Sequence, residues 1–308
     1  MNDPARHGAG MPLLPCRTEK IFSAEHCGKR VFMKFTKMHG LGNDFILPDP
    51  SEYLTEEELP KAARALCDRR LGVGADGLLL VCPSREADIR MRIINADGSE
   101  AEMCGNGIRC FAKYVYEQGI VKGTELTVET LAGIMRPTLI VRNGVVEQVR
   151  VDMGQPFLEC SQIPVVGEGR CIGRTLEVLE QTVEYTSVLV GVPHTIIFVD
   201  DPGAVDIDAL GSAIEHAPVF PRRTNVNFAH VIDRNTVEMR TWERGCGRTL
   251  CCGTGASSTA VACVLNGKTG RSVDIRIALG TLHIDWAEDD HVYMTGPAAA
   301  VCVGELLD

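Results

Sequence analysis

"MCGNG" at residues 103–107 and "CCGTG" at residues 251–255 are near-copies of one turn: a cysteine, a glycine, a small polar residue and a second glycine. The two cysteines, Cys104 and Cys252, lie 148 residues apart. The likeness extends upstream, where "DIRMRIINADGSEAEMC" ends at Cys104 and "TVEMRTWERGCGRTLCC" ends at Cys252, so that Met91 and Arg92 fall on Met239 and Arg240 at the same offset. Apolar and polar residues alternate through Ile89, Met91 and Ile93 and again through Val237, Met239 and Thr241, the period of a half-buried strand. Downstream, "GIRCFAKYVYEQG" (107–119) and "GASSTAVACVLNG" (255–267) have helical composition, and each closes on a glycine suited to a C-terminal cap. Each copy reads strand, loop, cysteine turn, helix. The chain is a duplication.

The second helix is almost without a charged face, through Ala256, Ala260, Val261, Ala262, Cys263, Val264 and Leu265. A helix that is apolar all round is a buried one. The expected architecture is therefore a mixed α/β (α+β) fold of two pseudo-symmetric halves, each a sheet wrapped around a central helix, with the cysteine turns at the helix starts. A chain of 308 residues accommodates two such halves. Patterned sequence begins at Met33; residues 1–32 lack any sustained periodicity and carry Asp3, Glu19 and Glu25 with a single serine, unlike a transit peptide. They read as a mobile extension. The expected division is 1–32, then 33–148 with 297–308 as the first half and 149–296 as the second.

Composition excludes several classes of function. Hydrophobic residues make up 45% of the chain, yet no run approaches the roughly 20 apolar residues of a membrane span. With 31 Lys and Arg against 41 Asp and Glu, the net charge of −10 argues against nucleic acid as a partner, since phosphate binding needs a basic surface. Thirteen cysteines, an odd number with no CxxC pair and no secretory segment, point to a reducing cytoplasm. No paired Cys/His spacing suggests a structural metal, and none is expected.

A helix start presents free N–H groups and the positive end of the helix dipole, so it lowers a nearby thiol's pKa and attracts anions. A single such turn is accounted for as a packing feature with a small buried thiol. Two symmetry-related turns brought face to face instead describe a site: a carboxylate held between two helix N-termini, with a thiol on either face of the adjacent carbon. Such a pair can remove a proton from one face and return one to the other. The helix ends would stabilise charge on the carboxylate oxygens as an oxyanion hole does. Most amino-acid racemases use pyridoxal phosphate as an electron sink, but the chain has no phosphate-cradling glycine-rich motif, and no cofactor is expected.

These segments, with "KMHGLGNDF" (37–45), "RRLGVGADGLLLV" (69–81), "GVPHTIIFVDD" (191–201), "RTNVNF" (223–228), "ERGCGRTLCCGTGA" (243–256) and "YMTGPAAAV" (293–301), resemble the diaminopimelate epimerases from about Met33 to the end of the chain. Members of that family interconvert LL- and meso-diaminopimelate without a cofactor, in lysine and cell-wall precursor synthesis. The resemblance implies that each half is a strand barrel about its helix, with the substrate in the cleft between them. It implies that Cys104 and Cys252 are the acid/base thiols, with His194 and Glu243 beside them. By the same resemblance Gly105, Asn106, Gly253 and Thr254 hold the reacting carboxylate, and Asn43, Asn95, Asn225 and Arg244 hold the distal groups of the substrate. A homodimer is the possible assembly.

Three departures qualify the match. Val192 stands where the family has Asn, Arg248 where an acidic residue is common, and Cys251 adds a thiol beside Cys252. Val192 removes a polar group from the wall that reads the far end of the substrate, which leaves a racemase of another amino acid as the alternative activity. An inert thiol-bearing scaffold is the third reading; it offers no reason for two cysteines at glycine-flanked helix starts with Glu243 and Arg244 beside one of them.

Overall fold

The computed structural model describes residues 33–51 and 54–306; the expected extension 1–32 lies outside them. The first half runs β1 (Met33–Gly40), β2 (Asn43–Pro48), α1 (Leu59–Cys67), β3 (Gly77–Cys82), β4 (Ile89–Asn95), β5 (Glu100–Ala101), α2 (Gly105–Glu117), β6 (Val128–Thr130) and β7 (Gly133–Met135). A ribbon of β8 (Thr138–Arg142) and β9 (Val145–Asp152) follows, then β10 (Arg174–Val178). The second half repeats the first with β11 (Gln181–Val190), β12 (Val192–Phe198), α3 (Ile207–Glu215), β13 (Asn225–Asp233), β14 (Thr236–Glu243), β15 (Gly247–Thr249), α4 (Gly253–Leu265), β16 (Ser272–Ile277) and β17 (Gly280–Trp286). The chain closes with β18 (Val292–Gly296) and β19 (Ala299–Leu306).

The duplication read in the sequence is a duplication of topology. In the first half β2 pairs in parallel with β3 across α1, and β4 with β6 across α2. In the second, β12 pairs in parallel with β13 across α3, and β14 with β16 across α4. A parallel pair needs a crossover, and the two cysteine-capped helices are those crossovers. The expected glycines end them. Gly119 and Gly267 follow the helix caps Gln118 and Asn266 with φ of 68° and 65°, a left-handed conformation that favours glycine.

Among the described residues neither sheet closes into the expected barrel. The first is ordered β19-β1-β2-β3-β4-β6-β7 and the second β10-β11-β12-β13-β14-β16-β17-β18-β9-β8, each with two free ends. The reason is visible around α2, which packs on β1, β2, β3 and β4 of its own sheet and on β9 of the other. The second sheet thus covers the open side of the first, and burial of α2 requires no hydrogen-bonded seam. By hydrogen bonding, the chain enters the second sheet at β8 and returns to the first at β19, which pairs with β1. One hydrophobic core, including Met38, Leu79, Ile108 and Phe111 from the first half and Val188, Ala260, Val261 and Ile284 from the second, surrounds both helices. α4 is buried on nearly every side, as its composition requires. No helix among the described residues is long and apolar enough to cross a membrane.

Candidate active site

Cys104 and Cys252 are the N-cap residues of α2 and α4, both in extended backbone conformation (φ −141° and −130°). The second glycine of each turn explains the motif. A Cβ at Gly107 would lie 3.3 Å from Cys104 Cβ, and one at Gly255 would lie 3.2 Å from Cys252 Cβ and 2.7 Å from Asn227 Oδ1. Neither glycine has positive φ, so what each supplies is space for the thiol. The first glycines have a different neighbour: a Cβ at Gly105 would meet Met294 Cε at 3.3 Å, and one at Gly253 would meet Met294 Sδ at 2.9 Å. Met294 on β18 therefore touches both helix starts.

The two starts are also joined by polar contacts. Asn106 Nδ2 donates to Asn43 Oδ1 (3.2 Å) and to Cys251 O (3.5 Å), while the Cys251 thiol donates to Asn106 Oδ1 (3.4 Å). The Cys104 thiol donates to the same Asn43 Oδ1 (3.4 Å) and accepts from Gly107 N–H (3.4 Å). Asn43 is held in turn by Asp76, whose Oδ2 accepts from Asn43 Nδ2 at 2.6 Å; Arg69 fixes Asp76 and Asp44 together. Asp76 is the supporting residue that sequence reasoning passed over, although "GADG" sat inside a quoted motif.

On the other side, a relay reaches Cys252. Thr241 Oγ1 donates to Asn227 Oδ1 (3.0 Å), which turns Asn227 Nδ2 toward His194 Nδ1 (3.0 Å). His194 Nδ1 is then an acceptor, and Nε2 carries the proton, which it donates to Thr254 Oγ1 (3.0 Å). The Thr254 hydroxyl is left free to donate to Cys252 Sγ at 3.4 Å. Burial holds His194 neutral, with its pKa lowered to about 3. Asn227 was missed in the sequence, yet it lies two residues from Asn225 and so on the same face of β13.

The remaining predicted residues are distributed as follows. Asn225 Nδ2 donates to Pro193 O (2.8 Å), and its Oδ1 accepts from Arg244 N–H (2.9 Å), which docks the loop after β14 onto β12. Glu243 accepts from Thr249 Oγ1 at 2.5 Å. The Arg244 guanidinium is exposed and donates to Arg222 O (2.9 Å). Asn95, at the end of β4 opposite Gly77, gives its amide to Ser99 Oγ (3.0 Å) and to none of the other predicted residues. Of the three departures, Arg248 reaches Asp208 of α3 (3.8 Å), Cys251 joins the bridge to Asn106, and Val192 is 37% exposed at the start of β12. A groove of about 570 Å³ between β11, β12 and α3 contains none of these side chains.

The thiols do not titrate as the helix ends alone would make them. Burial pushes Cys104 above its ordinary value, outweighing the N–H groups of Gly107 and Asn106 that draw it down. Burial, then the neighbouring Glu243 carboxylate, pushes Cys252 up further. Burial raises Glu243 as well, so these two acids resist ionising together. The expectation of lowered thiol pKa values is thus reversed in the net, because removal from water exceeds what the few N–H and hydroxyl donors at each sulfur return.

The model of the family described as "Diaminopimelate epimerase" matches residues 35–158 and 186–301. A protein named diaminopimelate epimerase from Moorella thermoacetica is 53% identical over 275 residues, 89% of this chain and 99% of that protein. The chain belongs to the diaminopimelate epimerase family. A second diaminopimelate epimerase, from Pelotomaculum thermopropionicum, is 54% identical over 89% of this chain and 98% of its own. More distant folds agree. A hydroxyproline epimerase from Agrobacterium vitis superposes with a TM-score of 0.63 at 16% identity, covering 90% of this chain and 92% of its own. A phenazine biosynthesis protein of the PhzF family from Enterococcus faecalis gives 0.64 at 13%, covering 90% and 99%. Those two share the two-sheet architecture. In this diaminopimelate epimerase family member, the two N-cap cysteines, the Asn106 bridge and the His194 relay lie at the two helix starts.

Proposed function

We propose that the protein interconverts LL- and meso-diaminopimelate with Cys104 and Cys252 as a thiolate/thiol pair. The substrate carboxylate lies between the starts of α2 and α4, where the N–H groups of Gly105, Asn106, Gly253 and Thr254 receive it. One cysteine, as thiolate, takes the α-proton; the electron pair passes into the carboxylate, whose oxygens the helix ends stabilise. The other cysteine, as thiol, delivers its proton to the opposite face, and the two have exchanged protonation states at the end of the turnover. His194, through Thr254, keeps a hydroxyl donor on Cys252, and Glu243 stands beside that thiol. Asn43, Asn95, Asn225 and Arg244 receive the distal amino and carboxylate groups, with Val192 as an apolar part of that wall. The halves 33–148 with 297–308 and 149–296 carry one thiol each. The enzyme acts in the cytoplasm, in the supply of lysine and peptidoglycan precursors, as a homodimer.

The observation that carries this reading is that the two N-cap cysteines sit on crossover helices related by the duplication, with starts bridged by Asn106. The test is α-proton exchange into heavy water, followed by NMR for LL-diaminopimelate and a panel of other amino acids. Exchange and inversion confined to diaminopimelate is the expected result. Inversion of a different amino acid, with none of diaminopimelate, would replace the substrate and leave the two-thiol chemistry.

A further inference from the structure

Arg109 is fully buried one turn into α2, and among the described residues no carboxylate lies within ion-pair distance of it. Its Nη1 donates to Gly105 O (3.1 Å) and lies 3.6 Å from Met294 Sδ; its Nε donates to Pro297 O (3.2 Å). Nη2 has no partner. The socket is formed from both sheets: a Cβ at Gly40 would come within 2.9 Å of Nη2, and one at Gly296 within 3.3 Å of Nε. A guanidinium does not lose its proton in a protein, and a buried charge without a counter-charge is costly. The titratable groups that sense it are thiols: Cys104 and Cys110 on α2, and Cys251 before α4. Glu243, at the end of β14, opposes it at Cys104, raising the thiol where Arg109 lowers it. The socket therefore fixes a positive charge among thiols, with no carboxylate in ion-pair contact among the described residues.

We infer that Arg109 is a positioning residue for Cys104, its guanidinium polarising the Gly105–Asn106 peptide so that the helix start holds negative charge. The bond to Gly105 O draws electron density from the peptide whose other end is Asn106 N–H. That makes the Asn106 N–H a stronger donor to a carboxylate at the helix start, beside the Cys104 sulfur that Gly107 N–H holds at 3.4 Å. The bond to Pro297 O ties the same guanidinium to the crossover between β18 and β19, so the charge is fixed relative to both sheets. The role in turnover rests on the proposed two-thiol reading; the thiol measurement below does not.

The experiment follows iodoacetamide alkylation of Cys104 and Cys252 against pH, by peptide mass spectrometry on the full chain, for Arg109→Met, Arg109→Gln and Arg109→Lys. The neutral variants are expected to move the Cys104 midpoint up by about one pH unit, a roughly tenfold loss of thiolate at neutral pH. Cys252 should stay in place, and Arg109→Lys should keep most of the wild-type profile. If Arg109→Met does not fold, Arg109→Gln, which retains an amide donor for the carbonyls, carries the measurement. An unchanged Cys104 profile in a folded neutral variant overturns the inference. So does an equal shift at both thiols, or a shift in Arg109→Lys as large as in Arg109→Gln. Loss of folding in both neutral variants with an intact, unshifted Arg109→Lys also counts against it, since it leaves Arg109 a purely structural tie. A wild type that does not turn over diaminopimelate would refute the proposed substrate without touching the alkylation result.

Discussion

Thr254→Val breaks the relay at its last link while preserving shape. The hydroxyl of Thr254 lies 3.0 Å from His194 Nε2 and 3.4 Å from Cys252 Sγ, so its removal costs two interactions at once. Toward the thiolate, the lost bond is one to a charged group, worth about 1.5–3 kcal/mol. At about 1.4 kcal/mol per decade this predicts a fall in kcat/KM of about 10- to 150-fold. Toward the fold, the buried His194 N–H is left without an acceptor, a destabilisation of about 1–3 kcal/mol. Thr254→Ser, which keeps the hydroxyl, should restore most of both. The assay is α-proton exchange by NMR for activity and urea unfolding for stability, with pH-dependent alkylation of Cys252 as the direct readout. Its midpoint should rise by about one to two pH units in Thr254→Val while that of Cys104 holds. A Thr254→Val enzyme with wild-type turnover and an unmoved Cys252 profile would refute the relay.

Cys104→Ala and Cys252→Ala should each abolish epimerisation, whereas Cys251→Ala removes one weak bond to Asn106 and should cost less than about 1.5 kcal/mol in kcat/KM; the reverse pattern at 251 and 252 would move the assignment by one residue. His194 stays neutral down to about pH 3 when folded but takes a proton near 6.5 when unfolded. Its contribution to stability is therefore complete above 6.5 and lost progressively toward 3, with a slope of at most about 1.4 kcal/mol per pH unit. Urea midpoints at pH 7 and pH 5 should accordingly fall less in His194→Gln than in wild type, and parallel losses would show that the histidine is not held neutral. Val192→Asn places an amide at the exposed start of β12 and should change kcat/KM for diaminopimelate by about 0.5–1.5 kcal/mol; creation of diaminopimelate turnover from none would identify a different native substrate. Deleting residues 1–32 should leave turnover unchanged, because the patterned chain begins at Met33; an insoluble or inactive product would show that the segment docks on the folded chain.

The sequence by itself determined the local structure. A repeat at a fixed offset is preserved in residues that shape their own backbone: alternating apolar residues give β4 and β14, Cys-Gly-x-Gly gives two capped helix starts, and Gly119 and Gly267 end the helices. The uniformly apolar composition of α4 required its burial without reference to any partner. The tertiary structure decided what depends on residues far apart in the chain. Asn106 meets Cys251 across 145 positions, and Asn227 and Thr241 orient His194 toward Thr254. Arg109 finds its carbonyl at Pro297, across 188 positions. The sheets remained open because β9 of one covers the helix of the other, a packing solution with no local signature. The sign of the thiol shifts belongs to the same class. A helix N-terminus is written in the turn, but the desolvation that overrides it exists only once both sheets have closed water out around the two sulfurs.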